Sequence, residues 1–380
     1  MQRLTENHVR VGRPVPFDCY DGQGHLLLRK GFVVESQNQV DAILERGLFR
    51  MAAQSHVPPG DSVAESPTTP FQLLTEFNSR LKQLFANLAD ELALGKGREG
   101  KNFAGRLMQL ATDIQTLCRH DTDALLGKIH LDHSGRYSIT HALHRAIVCE
   151  LLGLRKDIPE KERAYLVAAA LTCDLSIMQL QDELSRQNVD LLPEQQHAIS
   201  SHPRESARLL ALLGANNPGW ATTVIQHHEL LNGEGYPFGL SSKDISVGAR
   251  ILKLADTYTA MVSPRAYREG MLSKIAMRDI FLKRGSEIDE QLAVFIVKEL
   301  GVYPPGAFVK LQNGELAIVI RRGTDAKTPL VKAVVGPRGA PFDNPIKRNT
   351  EVNEYKIIDV VERDPIVIID LHKLWGYEAW

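Results

Sequence analysis

Apolar residues recur at helical spacing through most of this 380-residue chain and at alternate positions towards its two ends. Phe71, Leu74, Phe77, Leu81, Leu84, Phe85 and Leu88 mark one amphipathic helix. After an interruption around Gly95 to Lys101, Phe103, Leu107, Leu110, Ile114 and Leu117 mark a second. From Asp121 to about Gly301 the spacing stays helical with short loops. It runs through Ile139–Leu152, Tyr165–Leu171, Ile199–Leu213, Ala221–His228, Ala249–Met261 and Leu292–Leu300. Past Tyr303-Pro304-Pro305-Gly306 the period falls to two. Phe308–Leu311 and Leu316–Ile320 flank Asn313-Gly314, a hairpin signature. Leu330–Val335, Tyr355–Val361 and Ile366–Leu371 read as further strands. Near the start, Val15–Tyr20 and His25–Leu28 flank the turn Asp21–Gly24, and Ser36 opens a helical pattern through Val40, Ile43 and Leu44.

These elements predict a mainly α fold: a helical bundle core with a small N-terminal α/β module and a C-terminal β-rich cap. The expected divisions are an N-terminal module over 1–53, a linker over 54–70, helices over 71–124, the bundle over 125–305 and the cap over 306–380. The linker holds Pro58-Pro59-Gly60 and Ser66-Pro67-Thr68-Thr69-Pro70. The pair of helices over 71–124 reads either as a hairpin or dimerising stalk, or as a plain layer of the next domain. A chain this long exceeds one compact core of usual size.

Composition narrows the function. Hydrophobic residues make up 43% and charged residues 24%, which fits a soluble globular protein. A formal net charge of -1 leaves no broad basic field for a nucleic-acid polymer. Cys19, Cys118, Cys149 and Cys173 are scattered with no CxxC pair, which points to a reducing cytoplasm. Met1–Arg13 shows no apolar signal segment, and no run approaches a membrane span.

The richest chemistry lies in Ile225-Gln226-His227-His228-Glu229-Leu230-Leu231-Asn232-Gly233-Glu234-Gly235-Tyr236-Pro237. Two adjacent imidazoles beside a carboxylate suit a cation, although a surface His pair at a helix end reads the same way. The other polar candidates sit on or beside helical segments. His141 alone reads as a satisfied core histidine, Asp174 as a helix end, and His202 before Pro203 as a helix N-terminal residue. Asp256, after Leu254 and Ala255, faces inward and needs a cation or several hydrogen bonds. Together with Cys173, these residues supply four imidazoles, two carboxylates and a thiol. That inventory suits two divalent metals of the Fe, Mn, Zn or Ni kind bridged by one Asp. Such a pair would activate water and clamp a phosphodiester.

The order His141, Asp174, His202-Pro203, His227-His228-Glu229, Gly235-Tyr236-Pro237, Ala249-Arg250-Ile251, Ala255-Asp256 and Ser263-Pro264-Arg265-Ala266-Tyr267-Arg268 resembles an HD-GYP domain. This is a branch of the HD phosphohydrolases that hydrolyses the bacterial messenger cyclic di-GMP. The resemblance covers roughly residues 125–305 and implies an HD-type bundle. It implies metal ligation by His141, Cys173, Asp174, His202, His227, His228 and Asp256, with Asp174 bridging. It places Asp174, His227 and His228 at the catalytic centre and Tyr236 near the guanine or ribose. Arg265 and Arg268 would hold the non-scissile phosphate. The product would be pGpG, with GMP after a further cleavage.

Four departures set the chain apart from the implied pattern and weaken the implied hydrolysis. The family's His-Asp pair reads Cys173-Asp174, and a thiolate there would favour Zn. Cys173 also reads as a small buried hydrophobe. Ile177 occupies the slot of a lysine that would face the scissile phosphate, a loss worth about 10² to 10³ in rate. Thr259 replaces an acid expected at the ligand, and Tyr137 replaces a glutamate that gives some members a third metal. The alternative is a degenerate receptor or scaffold that binds nucleotide and signals to a protein partner, with a homodimer as a further expectation.

Overall fold

The structure is a computed structural model. It describes residues 68–88, 92, 103–266, 268–363, 367 and 369–377, together with four short N-terminal strands. Backbone contacts divide the chain into Met1–Glu65 and Ser66–Trp380. In the first unit β1 (Gln2–Arg3), β2 (Cys19–Tyr20), β3 (Leu26–Leu28) and β4 (Phe49–Arg50) form one sheet in the order β1-β4-β2-β3. β2 and β3 pair antiparallel with Tyr20 opposite Leu26, as the Asp21–Gly24 turn signal requires. The helical pattern after Ser36 lies outside the described residues, as does most of the linker.

The second unit holds twelve helices among the described residues. α1 (Pro70–Ala86) begins on a capping box. Thr69 Oγ1 accepts from the Gln72 N–H, and the Gln72 side chain accepts from the Thr69 N–H. The buried stripe of α1 (Leu74, Phe77, Leu81 and Leu84) shares one core with Leu107, Leu110 and Ile114 of α2 (Phe103–His120). That core continues without a break into α4 (Tyr137–Arg155) and α5 (Glu160–Thr172), so α1 and α2 are a layer of the helical body. α3 (Thr122–Leu131) starts at Asp121, whose carboxylate accepts from the Ala124 N–H.

α4 is the central helix, buried on nearly every face, and it packs on α5 and on α9 (Val247–Val262). Around it stand α6 (Met178–Leu184), α7 (Pro193–Leu212), α8 (Pro218–Gln226), α10 (Ser273–Leu282) and α11 (Glu290–Leu300).

β5 (Phe308–Leu311), β6 (Leu316–Arg321), β7 (Leu330–Val335), β8 (Pro341–Asn349) and β9 (Ile357–Val361) form an antiparallel sheet in the order β8-β7-β6-β5-β9. Phe308 faces Ile318 across the hairpin, and Gly314 takes φ +89° at its turn. The sheet is fastened to the helices by Arg321 to Asp121 and by Arg322 to Asp123 at 2.6 Å. The strand expected over 366–371 is not found among its described residues; instead a short helix, α12 (Leu371–Trp375), starts at Asp370, whose side chain caps Lys373. Trp375 of that helix packs on Phe71 and occupies the space a side chain at Gly127 would need. β8 escapes the apolar pattern because it is an exposed edge strand carrying Pro341 and Pro345.

Candidate metal centre

Five segments bring the candidate ligands together. α4 carries His141, the turn after α5 carries Cys173 and Asp174, α7 carries His202, the end of α8 carries His227 and His228, and α9 carries Asp256. His202 lies inside α7, not at its start, and Pro203 follows it within the helix. Proline has no N–H, so the Ile199 carbonyl loses its usual donor four residues on. His202 Nδ1 takes that carbonyl at 2.5 Å. A carbonyl only accepts, so Nδ1 carries the hydrogen and Nε2 presents a lone pair. His227 is set the same way, with Nδ1 donating to the Val224 carbonyl at 2.6 Å.

The consequence is a convergence of lone pairs. His202 Nε2 and His227 Nε2 lie 3.2 Å apart, and Asp174 Oδ1 is 3.3 Å from the former and 4.0 Å from the latter. Both imidazoles are buried. With their hydrogens committed to backbone carbonyls, the facing nitrogens repel unless a cation lies among them. One ligand atom each from His202, His227 and His228 lies within 4.8 Å of the others, and the same holds for Cys173, Asp174 and His227. Three imidazoles and a carboxylate fit a borderline divalent ion.

The other side of Asp174 is different. Its Oδ2 accepts from Arg145 Nη1 at 2.6 Å, and the same nitrogen lies 2.7 Å from Asp256 Oδ1. Arg145 Nε donates to the Ala170 carbonyl at 2.9 Å. His141 Nε2 is 3.0 Å from Asp256 Oδ1. Thus His141 and Asp256 meet each other and Arg145, while the imidazole cluster forms across Asp174. Arg145 did not emerge from the sequence reading. Its signal was a lone cation one helical turn after His141 in the apolar run Ala142–Val148.

Burial and charge set the protonation states. Burial would raise the Asp174 carboxyl, but the Arg145 guanidinium outweighs it and holds it well below the usual range. Asp256 behaves alike, with the His141 hydrogen bond and Arg145 opposing burial. Burial, with Arg145 opposing it, pushes the Cys173 thiol well above its ordinary value. Burial and then His202 push His227 down to about 3. His228 is held well below its ordinary value by burial, by His227 and by Lys253, which lies one turn before Asp256 on α9.

These neutral imidazoles predict a pH signature, to which His130 also contributes. Burial pushes His130 down to about 4, against hydrogen bonds to the Pro305 and Leu126 carbonyls. In the unfolded chain each group titrates near its ordinary value of 6.5. Above that value neither state holds the extra proton; below it the unfolded chain takes up protons the fold refuses. Stability of metal-free protein should therefore fall as pH drops from about 6.5 towards about 4, by up to about 1.4 kcal/mol per pH unit for each such imidazole. Urea midpoints that stay level between roughly pH 7 and pH 5 would contradict this.

The loop after α8 is pinned by Glu229, which is buried and accepts from the Phe238 N–H at 2.7 Å and the Leu240 N–H at 2.8 Å. Gly235 runs against the Glu229–Leu230 backbone, where an added Cβ would come within 2.3 Å of the Leu230 nitrogen. The loop thereby lays the Tyr236 ring on His228, with centroids 4.7 Å apart and planes at 16°. Gly235→Ala should displace Tyr236, and Glu229→Gln should cost about 1.5–3 kcal/mol in charge-assisted hydrogen bonds. Urea denaturation of Glu229→Gln and His228 ring shifts by NMR in Gly235→Ala check both; unchanged values would refute the pinning role.

Beside His141 opens a cleft of about 760 Å³, within the range of small-molecule sites. Arg136, Tyr137, Arg186 and Arg265 line it. Arg265 lies 4.8 Å above the Tyr137 ring and donates to its hydroxyl at 2.6 Å, while Tyr137 stacks on His141 at 5.0 Å. Arg268 donates to the Ala260 carbonyl at 2.5 Å and does not line this cleft. Ile177 is buried at the start of α6, and Thr259 is buried with its hydroxyl on the Ala255 carbonyl.

With the site's geometry in place, the model of the HD domain family matches residues 128–292. The chain also superposes, with a TM-score of 0.51 at 16% identity, on the HDG"Y"P protein Bd1817 of Bdellovibrio bacteriovorus, over 78% of this chain and 98% of that one. Residues 128–292 thus match an HD domain, and the likeness to Bd1817 is one of fold. The chain is 27% identical to the cyclic di-GMP phosphodiesterase PA4108 of Pseudomonas aeruginosa, over 89% of this chain and 86% of that protein. It is 23% identical to the cyclic di-GMP phosphodiesterase PdeB of Borreliella burgdorferi over 49% of each. It is 24% identical to the 3'3'-cGAMP-specific phosphodiesterase 3 of Vibrio cholerae, over 60% of this chain and 50% of that protein. HD domains of this kind are metal-dependent, and the imidazole cluster across Asp174 is where the residues fit an ion. Among the described residues no helix is long and apolar enough to cross a membrane.

Proposed function

We propose that this chain hydrolyses cyclic dinucleotides, cyclic di-GMP first among them, to the linear pGpG and then to GMP. The observation that carries the reading is the buried convergence of His202 Nε2, His227 Nε2 and Asp174 Oδ1 near a cleft lined with arginines. The names of the curated relatives support the substrate class. His202, His227, His228 and Asp174 would hold a metal, which when bound supplies Lewis acidity to a phosphoryl oxygen and an acidified water. Arg145 keeps Asp174 ionised. Arg265, braced on Tyr137, offers a guanidinium to a phosphate from the cleft wall. Tyr236 offers an aromatic face beside His228 for a base or ribose.

The donor set admits Fe, Mn, Zn or Ni. A two-ion arrangement would place the second ion among His141, Cys173, Asp174 and Asp256. We place the activity in the cytoplasm, in keeping with the buried free thiols of Cys118, Cys149 and Cys173. An output protein and a second copy of the chain are the partners proposed with it.

A non-hydrolytic receptor is the second reading, favoured by Ile177 in the slot where a phosphate-facing lysine is expected. Turnover of cyclic di-GMP and 3'3'-cGAMP by protein loaded anaerobically with Fe(II), Mn, Ni or Zn separates the two. Product formation that His228→Ala abolishes sinks the receptor reading. Tight nucleotide binding with no product under any metal sinks the hydrolase reading.

A further inference from the structure

We infer that Arg145 supplies the second positive charge of this centre, so that the chain takes one divalent ion, at His202, His227, His228 and Asp174, and none between His141 and Asp256. The inference deepens the reading above and rests on its metal assignment, not on its substrate.

A single nitrogen, Arg145 Nη1, bridges the two carboxylates at 2.6 and 2.7 Å, the position a bridging cation takes. The guanidinium cannot swing aside, because Nε is held by the Ala170 carbonyl and the side chain is only 1% exposed. It does not lose its proton in a protein, so the charge is permanent. Asp256 Oδ1 is already shared by Arg145 and His141. Among the described residues, the groups whose ligand atoms gather closely enough for an ion include neither His141 nor Asp256.

Charge balance leads to the same place. Asp174 and Asp256 are two negative charges in a buried space, and Arg145 returns one. One divalent ion on the imidazole side leaves a single positive charge, suited to an incoming phosphodiester. A second would leave a net of three positive charges, the fixed guanidinium among them, with little water to screen them.

The test loads full-length protein with Mn(II), removes the excess and measures Mn per chain together with the electron paramagnetic resonance spectrum. Wild type should hold one Mn with the hyperfine pattern of an isolated ion. Arg145→Ala should gain a second Mn and an exchange-coupled spectrum, and Arg145→Lys should stay at one. Two Mn in wild type, or none, overturns the inference, as does an Arg145→Ala protein that is folded by circular dichroism yet remains at one. Should Arg145→Ala fail to fold, the wild-type count and Arg145→Lys decide. One Mn without turnover sinks the hydrolase reading and leaves this inference standing; two Mn with turnover does the reverse.

Discussion

Arg145→Ala should destabilise the metal-free protein by about 3–5 kcal/mol, the cost of breaking a buried ion pair from one side. The substitution strands Asp174 and Asp256 without their shared counter-ion, and it frees the Ala170 carbonyl as well. His141 still donates to Asp256, so one carboxylate keeps a partner while Asp174 Oδ1 faces the His202 lone pair. One of the two carboxyls should then take up a proton, as like charges in one buried site require. Added Mn(II) should recover much of the loss, because an ion in the vacated position would neutralise the same oxygens. Urea denaturation with a chelator and then with Mn(II) measures both effects. A loss under about 1 kcal/mol would mean that water, not the guanidinium, balances these carboxylates.

Much of this molecule was legible from period alone. The helices of the bundle fall where apolar residues recur at 3.6, and Asn313-Gly314 marks its hairpin. The failures have physical causes. β8 alternates little because neither of its faces is buried deeply, and Pro341 and Pro345 read as loop. Residues 366–369 are apolar, but α12 begins at Leu371 because Asp370 caps it and Trp375 fits over Gly127. His202-Pro203 looked like a helix start, since proline is at home in a first turn. Inside α7 the same dipeptide has another use: the missing N–H frees Ile199 to fix the His202 tautomer.

The candidate site was half legible. His202, His227, His228 and Asp174 are named by residue type and spacing, and they meet. What type and spacing could not show is that one helical turn sets Arg145 between the two carboxylates. A lone arginine in an apolar run reads as a helix-surface cation until the neighbouring helices bury it. The sequence leaves Cys173 between a metal ligand and a small buried hydrophobe; it is fully buried beside Asp174 and His227, and burial pushes its thiol well above the ordinary range. A thiol that stays protonated packs as a small hydrophobe and leaves the ion to the imidazoles.

Asp174→Asn should lower turnover of cyclic di-GMP by more than about 10²-fold and strip the metal, whereas Cys173→Ala should leave metal content unchanged. Changing even the partner of a metal ligand costs 10- to 100-fold, so replacing the ligand itself costs more. The asparagine keeps the shape of Asp174 but brings no charge to His202 Nε2 and His227 Nε2, which face each other at 3.2 Å. It also leaves Arg145 with Asp256 alone. Cys173→Ala removes one buried sulfur and creates a small cavity, a stability cost of about 1–2 kcal/mol with no ligand lost. Elemental analysis and initial rates on the two variants decide between the roles. If Cys173→Ala loses its metal as Asp174→Asn does, the thiol is a ligand after all, and Arg145 shares its side of Asp174 with an ion. If the metal stays, Cys173→His alone should not create a second site, because the guanidinium still stands between Asp174 and Asp256. Only with Arg145 removed as well does the new imidazole have an ion to bind.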